Sequence, residues 1–415
     1  MRWIGIRPRV KETKDQEARP TQLFVANKDG SFGTLELDTE TDELDWVLGR
    51  WPVSFRPVQA TDDLGSFCRH HVKWRSLRDG EKPEMFPGQF VRQKDNVWET
   101  VQKVPAGYEG LKKEDRIVML LGGLGDYLAF ALSRKGEEIG AEVWRTPSFQ
   151  ISHMRQMGNK DQDAELLVKV FKENPELFRR VVNRDRKVIW ATLCCRARQE
   201  AMKARIKCEQ RLFARTVGTV FCAANSAFPD GEIKRHFDAI KANDAILTAL
   251  LAEEAKRNSD LKKALECLAV YNEVFSQVEG CGPAIASRLI AAIQDIRRFE
   301  TPAQLKSFCG AHVLKDGRFP RRRHGEIANW HPDARQALFL FGEQIKRKPN
   351  SIWGRKLREY KDLFQERHPE VVMVAGRKRY TKSHIYNMAK WRTLTKFVEW
   401  LWKEWWRVER KQQET

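Results

Sequence analysis

Long apolar runs are missing from this 415-residue chain. No stretch approaches the ~18–20 uncharged apolar residues that cross a bilayer, so no membrane-spanning helix is expected. The opening segment, MRWIGIRPRVKETKDQ, has no apolar block of the secretory kind, and a cytoplasmic location is expected. Acidic residues are scarce relative to basic ones: 56 Asp and Glu stand against 75 Lys and Arg, a formal net charge of +19. Metal-finger spacing is absent as well. The eight Cys, at 68, 194, 195, 208, 222, 267, 281 and 309, form no paired CxxC and HxxxH pattern. Neither a zinc site nor a disulfide framework is indicated by that spacing, and the cysteines read as reduced, mostly buried thiols. Internal repeats and low-complexity tracts are absent too. What is present is apolar material: 41% hydrophobic and 10% aromatic residues, too much for a disordered chain even with 32% charged. The length suggests two or three domains. A basic excess of this size points to a polyanionic partner, most commonly nucleic acid.

The first half carries strand-type punctuation. WIGI at 3–6, TQLFVAN at 21–27 and GTLEL at 33–37 are strands, with a turn at KDG, 28–30. A helix follows, with Thr41 or Asp42 as its N-cap and Leu44, Val47 and Leu48 on one face, ending at Gly49 before Pro52. Residues 53–110 show no sustained period and are read as an irregular insertion. RIVMLL at 116–121, GGLG at 122–125, DYLAFALSRKG and AEVWRT at 141–146 form a strand, turn, helix and strand of the α/β kind. From Asp161 to about 274 the pattern is helical, with breaks at Pro175, at 224–231 and at the NSD of 258–260. The run from Arg186 to Val217 reads either as a long helix or coiled-coil arm, or as a bundle helix with a solvated basic face. Residues 276–345 form a compact unit of short helices. The segment 376–410 holds ten Lys or Arg against three Glu, with Leu394, Phe397, Val398, Leu401, Trp402 and Trp405 in a stripe at helical spacing. A terminal helix docked by this aromatic face is expected in preference to one lying on a membrane surface.

One motif has a clear mechanism. VEGCGPAIASRL at 278–289 places Gly280 and Gly282 in a hairpin and starts a helix at Pro283, the arrangement of a helix-hairpin-helix. Glycines let the backbone turn with its amides exposed, and a helix N-terminus attracts phosphate. Arg288 and the Arg297-Arg298 pair add positive charge nearby. The loop KDGRFPRRRHG offers Lys315, Arg318, Arg321, Arg322 and Arg323 as a second set of phosphate contacts. Contacts of this kind supply affinity without sequence choice. The plainer alternatives are an ordinary αα-turn and a solvated loop.

These pieces in this order, together with NKDQDAELL and RFETPAQLKSFCGAH, resemble the transposases of the insertion sequence 110 family, relatives of the Piv invertases. The resemblance implies a RuvC-like (RNase H-like) α/β domain at 1–165, a helical arm at 166–275, a helix-hairpin-helix transposase domain at 276–345 and a basic, Trp-rich helical tail at 346–415. It implies DNA transposition or site-specific recombination, Mg²⁺ held by four acids of the RuvC-like domain, a serine that attacks DNA, a structured guide RNA and a homo-oligomer joined through the arm.

Set residue by residue on this chain, the family's pattern is interrupted. The strand that ends on the first acid reads Gly5-Ile6-Arg7, and the second acid's place falls near Gly122, with Asp126 the nearest carboxylate. The third and fourth acids belong to D-x-x-D-A, and the chain offers Lys160-Asp161-Gln162-Asp163-Ala164. Asp163 matches the last acid, and Asp161 serves only after a slip of one residue. Both also suit a plain helix N-terminus. The loop of the nucleophile, HVLKDGRFPRRRHGE, has no Ser or Thr, and Ser307 precedes it in a helical segment. A guanidinium cannot lose its charge, so Arg7 repels a hard cation and is expected to pair with Asp163. The candidate catalytic and metal residues are therefore Asp161 and Asp163 alone. Asp115 and Asp29 are further acids that could enter the site. The expected function is a transposase-like DNA-binding protein. The alternative is a catalytically inactive, host-retained DNA- or RNA-binding descendant.

Overall fold

The computed structural model describes residues 1–10, 12, 17–123, 125–152, 154–155, 160–222, 232–314, 317–321, 328–374 and 377–413. The chain divides into two compact units, Met1–Asn183 and Arg184–Thr415.

The first unit begins with an antiparallel meander of β1 (Arg2–Arg7), β2 (Thr21–Asn27) and β3 (Phe32–Leu37). The β2–β3 turn closes at Gly30, whose φ of +88° suits glycine, while the Asp29 carboxylate accepts from Ser31. Helix α1 (Glu40–Val47) starts earlier than the sequence reading placed it. The Thr39 hydroxyl accepts from the Asp42 amide and the Asp42 carboxylate accepts from the Thr39 amide, a reciprocal capping box.

The stretch read as irregular is a second sheet. It contains β4 (Trp51–Pro57), β5 (Lys73–Ser76), β6 (Val91–Lys94) and β7 (Val97–Glu109), with the long β7 pairing the other three. The strands escaped the sequence reading because bulges between Pro52, Ser54 and Phe55, and between Lys73 and Trp74, break the alternation of side chains. Between β6 and β7, Asp95 and Asn96 both take positive φ, 49° and 62°, as a two-residue hairpin turn demands.

The chain then returns to the first sheet through β8 (Arg116–Leu120), α2 (Gly125–Ile139), β9 (Glu142–Thr146), α3 (Ser148–Ser152), α4 (Asp163–Glu173) and β10 (Arg179–Arg180). The six strands lie in the order β10-β9-β8-β1-β2-β3, with β1, β8 and β9 parallel. Alternate strand residues feed opposite faces. Ile4, Ile6, Ile117 and Met119 pack with Leu128 and Leu132 of α2, while Val118 packs with Leu167, Val168 and Phe171 of α4. Gly5 is what lets α4 lie on β1, because a Cβ there would sit 1.8 Å from the Ala164 carbonyl oxygen.

In the second unit, α5 (Asn183–Phe221), α6 (Ile233–Asn243) and α7 (Ala245–Glu266) form the arm. At 1.5 Å per residue the 39-residue α5 is about 58 Å long. Helix α7 runs back along it: Arg198 meets Asn258, Arg205 meets Glu254, and Leu212 packs with Leu247. The expected break at 258–260 is absent, since α7 continues through it. There Asn258 accepts from the Arg198 side chain instead of opening a turn.

Helices α8 (Ala269–Glu273), α9 (Pro283–Ile293), α10 (Pro302–Phe308), α11 (Pro332–Arg347) and α12 (Ile352–Arg367), the hairpin β11 (Val372–Val374) and β12 (Arg377–Arg379), and α13 (Lys382–Gln413) complete the unit. The Trp-rich helix α13 is docked by its apolar stripe, as expected. Leu394, Phe397, Leu401 and Trp405 share one core with Leu289, Ile290, Leu338 and Phe341, so residues 276–345 and the tail are parts of a single packed body. No helix among the described residues is long and apolar enough to cross a membrane.

Candidate nucleic-acid interface

Four acids of the N-terminal unit, Asp163, Asp161, Asp126 and Asp115, are each answered by an arginine. Asp163, at the first position of α4 and 3% exposed, receives both arms of Arg155, with Nε to Oδ1 at 2.7 Å and Nη2 to Oδ2 at 2.9 Å. This corrects the expectation for Arg7. The fork of Arg155 occupies the carboxylate, while the Arg7 Nε donates to Gln22 at 3.4 Å. Asp161 is exposed and paired with Arg19 at 2.5 Å. Asp126 is buried against Arg145, and Asp115 is held by the Nε and Nη2 of Arg2 at 2.9 and 2.6 Å.

A two-metal phosphoryl-transfer site needs several carboxylates facing one small volume. Among the described residues, no three carboxylates converge in that way. Filled by guanidiniums, these acids do not fit the Mg²⁺ that the resemblance implies.

The C-terminal unit is arranged in the opposite manner. A groove of about 1390 Å³ runs between residues 313–314 and 317–321, the last turns of α12, β12 and the first turns of α13. Seven cationic side chains line it: Arg318, Arg321, Arg335, Arg367, Lys378, Arg379 and Arg392. No described Asp or Glu does. Aromatic rings alternate with the charges, among them Phe319, Trp330, Tyr360, Tyr380 and Trp391.

Two local devices build the walls. Arg335 is a structural clamp: its guanidinium lies 4.8 Å from the Trp330 ring centre and 4.1 Å from that of Trp391, and it donates to the carbonyls of Gly310 and Pro320. Burial pushes its pKa down to about 10. On the opposite wall, the Tyr380 ring stacks on His368 at 3.8 Å with planes 3° apart, and lies parallel to His384 at 5.6 Å. Tyr380 sits at φ +56°, a conformation that costs a non-glycine residue free energy and clusters at functional sites. Its amide donates to His384 Nδ1 at 3.0 Å, and the Thr381 hydroxyl accepts from the His384 amide at the start of α13. His384 is held below its ordinary pKa, first by burial and then by the positive charge of Arg379, Arg321 and His368.

The expected phosphate contacts separate into three groups. Arg318 and Arg321 are exposed on the groove. Lys315, Arg322 and Arg323 lie outside the described residues. Arg288 is corrected: at 7% exposure it lies within α9, a helix whose described faces are almost all buried, so it is not available at the surface.

The Arg297-Arg298 pair is likewise engaged. Arg297 grips Asp295 at 2.9 Å, and Arg298 lies 5.0 Å from the ring centres of Phe299 and Phe308. The hairpin has the anticipated backbone, with Gly280 at φ +89°, Gly282 as N-cap and Pro283 opening α9. Ser307 is exposed on α10. Sequence reasoning missed Arg367, Lys378, Arg379, Tyr380, His384 and Arg392. The signal was the run RKRYTKSH at 377–384, which was read as part of a basic tail.

Residues 272–352, about a fifth of the chain, match the family model described as Transposase IS116/IS110/IS902 family. The matched residues lie in the C-terminal unit, and that part of the chain is similar to the transposases of this family. The match supports an IS110-family transposase, with a transposase-like role in DNA transposition and DNA as its partner. No curated protein matches the chain.

Proposed function

We propose that this is a transposase-family protein that holds nucleic acid in the groove of its C-terminal unit and does not assemble the family's metal centre from its N-terminal acids. The observation that carries the reading is a concave surface with seven cations, interleaved aromatics and no carboxylate among the described residues that line it. Cations at a low-dielectric concavity focus potential toward phosphates, and the rings offer faces on which bases stack. The parallel β1, β8 and β9 beside an antiparallel meander support a RuvC-like reading of the first unit. The Gly280-Gly282-Pro283 turn supports a helix-hairpin-helix reading at the start of the transposase domain. The arm leaves Ile206, Phe213, Ile246 and Leu251 exposed, which supports oligomerisation through it. A structured guide RNA is the second nucleic acid that the reading allows.

The test is salt-dependent binding of duplex DNA and of structured RNA by the full chain. Replacing Arg318, Arg321 and Arg367 with Ala is expected to weaken binding about 100-fold at moderate salt and to flatten the log–log salt slope by about 2.7 on duplex DNA. An unchanged slope overturns the groove assignment. A second reading, an active metal enzyme, is favoured by the position of Asp163 at the end of α4 that lies on β1. Mn²⁺ binding in the presence of DNA, lost in Asp161→Asn/Asp163→Asn, favours it over the first.

A further inference from the structure

The small sheet of β4 to β7 has little of its own to hold it together. Its buried apolar side chains are Val72, Phe90, Val101 and Val104, and each contributes about 1.5–3 kcal/mol by burial. A unit with so small a core needs a staple, commonly a disulfide or a metal. Disulfides are not available, because all eight cysteines are free.

Where this sheet meets α1, side chains of another chemistry converge. Asp45, on the last turn of α1, is 1% exposed. Its Oδ2 lies 2.6 Å from His70 Nε2 and 2.7 Å from His71 Nε2, both on the short turn that leads into β5. Among the described residues this is the one group of three potential metal ligands whose ligand atoms all lie within 4.8 Å of one another.

An ordinary ion-pair cluster accounts poorly for this geometry. The charge of Asp45 is already matched on its other oxygen, where Arg50 Nε donates to Oδ1 at 2.7 Å. The two imidazoles lie 4.1 Å apart between ring centres, with both Nε2 atoms on the same carboxylate oxygen. The buried Nδ1 of His71 has no hydrogen-bond partner among the described residues. Two imidazole Nε2 atoms and a carboxylate oxygen are a ligand set for a borderline transition cation. Zinc, at about 2.0–2.1 Å from each atom, asks the three to move apart by less than about 1 Å.

We propose that His70 Nε2, His71 Nε2 and the Asp45 carboxylate bind one zinc-class cation, with water in the fourth position, and that the ion pins the 51–109 sheet to α1. Arg50 then orients the carboxylate from its far oxygen. The site is separate in chemistry from the acids at Asp161 and Asp163, and it does not depend on the nucleic-acid reading.

The experiment uses the full chain, stripped with chelator and dialysed against Zn²⁺ in excess Mg²⁺. Cys222 and Cys267, the exposed thiols, are replaced with Ser to remove their background. One equivalent of zinc is expected. It should be lost in His70→Gln, whose side chain is 46% exposed and tolerates replacement, and in Asp45→Asn. The Co²⁺-loaded protein should show tetrahedral visible bands without a thiolate charge-transfer band. Zinc should raise the melting temperature of the parent and leave that of His70→Gln unmoved. Stoichiometric zinc that persists in folded His70→Gln, or no zinc bound by the parent, overturns the proposal.

Discussion

The two units deploy charge in opposite ways. In Met1–Asn183 the carboxylates near the implied metal position are each matched to a guanidinium, and two of these pairs, Asp163 with Arg155 and Asp126 with Arg145, are buried. In Arg184–Thr415 seven cations gather on one groove that no described carboxylate lines. A buried ion pair is closed to a metal ion, because entry requires the guanidinium to leave and its charge to be placed elsewhere. A groove whose described lining is cationic and aromatic offers an outside anion a place to bind. The contrast teaches that the charge excess matters less than where its counter-charges lie.

The largest expected effect comes from breaking the first half of this contrast. Arg155→Ala leaves Asp163 buried without its ion-pair partner and is expected to destabilise the protein by about 3–5 kcal/mol in urea unfolding. Asp163→Asn in the same background should recover part of that loss. If Arg155→Ala leaves the midpoint where it was, Asp163 is not locked and the N-terminal acids remain open to a cation.

Breaking the second half should cost less. Arg321→Glu/Lys378→Glu reverses two charges of the groove and is expected to weaken duplex binding by about 2–3 kcal/mol, roughly 30- to 150-fold, with little change in melting temperature. An equal pair of reversals on the exposed face of α7, Lys262→Glu/Lys263→Glu, is the control. Equal losses from both pairs would mean that net charge, and not the groove, governs affinity.

How far this was legible depends on how local each signal is. The order of strands and helices around β8, α2 and β9 could be read because each element carries its own period and its own turn. The second sheet could not, since its bulges shift the alternation at Ser54 and Trp74 and only the Asp95-Asn96 turn announces it. The departures at Arg7 and Gly122 were visible by position, but the pairing of Asp163 was not. Arg155 lies eight residues away, outside any motif. The groove was half legible. Arg318 and Arg321 were named from one loop, yet the remaining walls come from α12, β12 and α13, which only folding brings together. Arg288 was misassigned because charge was read without its helix face, although PAIASRLIAAI holds a single charged residue among apolar ones.

The C-terminal unit also has a locked carboxylate, which lets the contrast be tested by pH. Burial works against ionisation of Asp295, and Arg297 and Arg184 outweigh it, so its carboxyl is held below the ordinary value. A carboxyl lowered in the folded state binds fewer protons there than in the unfolded chain. Its stabilisation is present above the unfolded pKa, about 3.9, and is lost as pH falls through the folded value. Unfolding followed at acid pH should therefore be less pH-dependent in Asp295→Asn than in the parent. An unaltered acid limb would place the critical protonation in another carboxylate.

The smallest effect sharpens the groove itself. His384 is held below its ordinary pKa by burial, with Arg379, Arg321 and His368 adding to the effect, so the free groove disfavours a further positive charge. A phosphate seated beside Arg321 and Arg379 cancels part of their field and raises the pKa of His384 in the complex. The complex then binds more protons than the free partners, and linkage makes affinity rise as pH falls. Between about pH 7.5 and about pH 5.5, at fixed ionic strength, a gain of several-fold and less than about tenfold is expected. His384→Gln should flatten this profile while leaving binding at the upper pH close to that of the parent. A profile that survives the substitution assigns the proton to another group, and one that runs the other way means that the polyanion lies outside the field of Arg321 and Arg379.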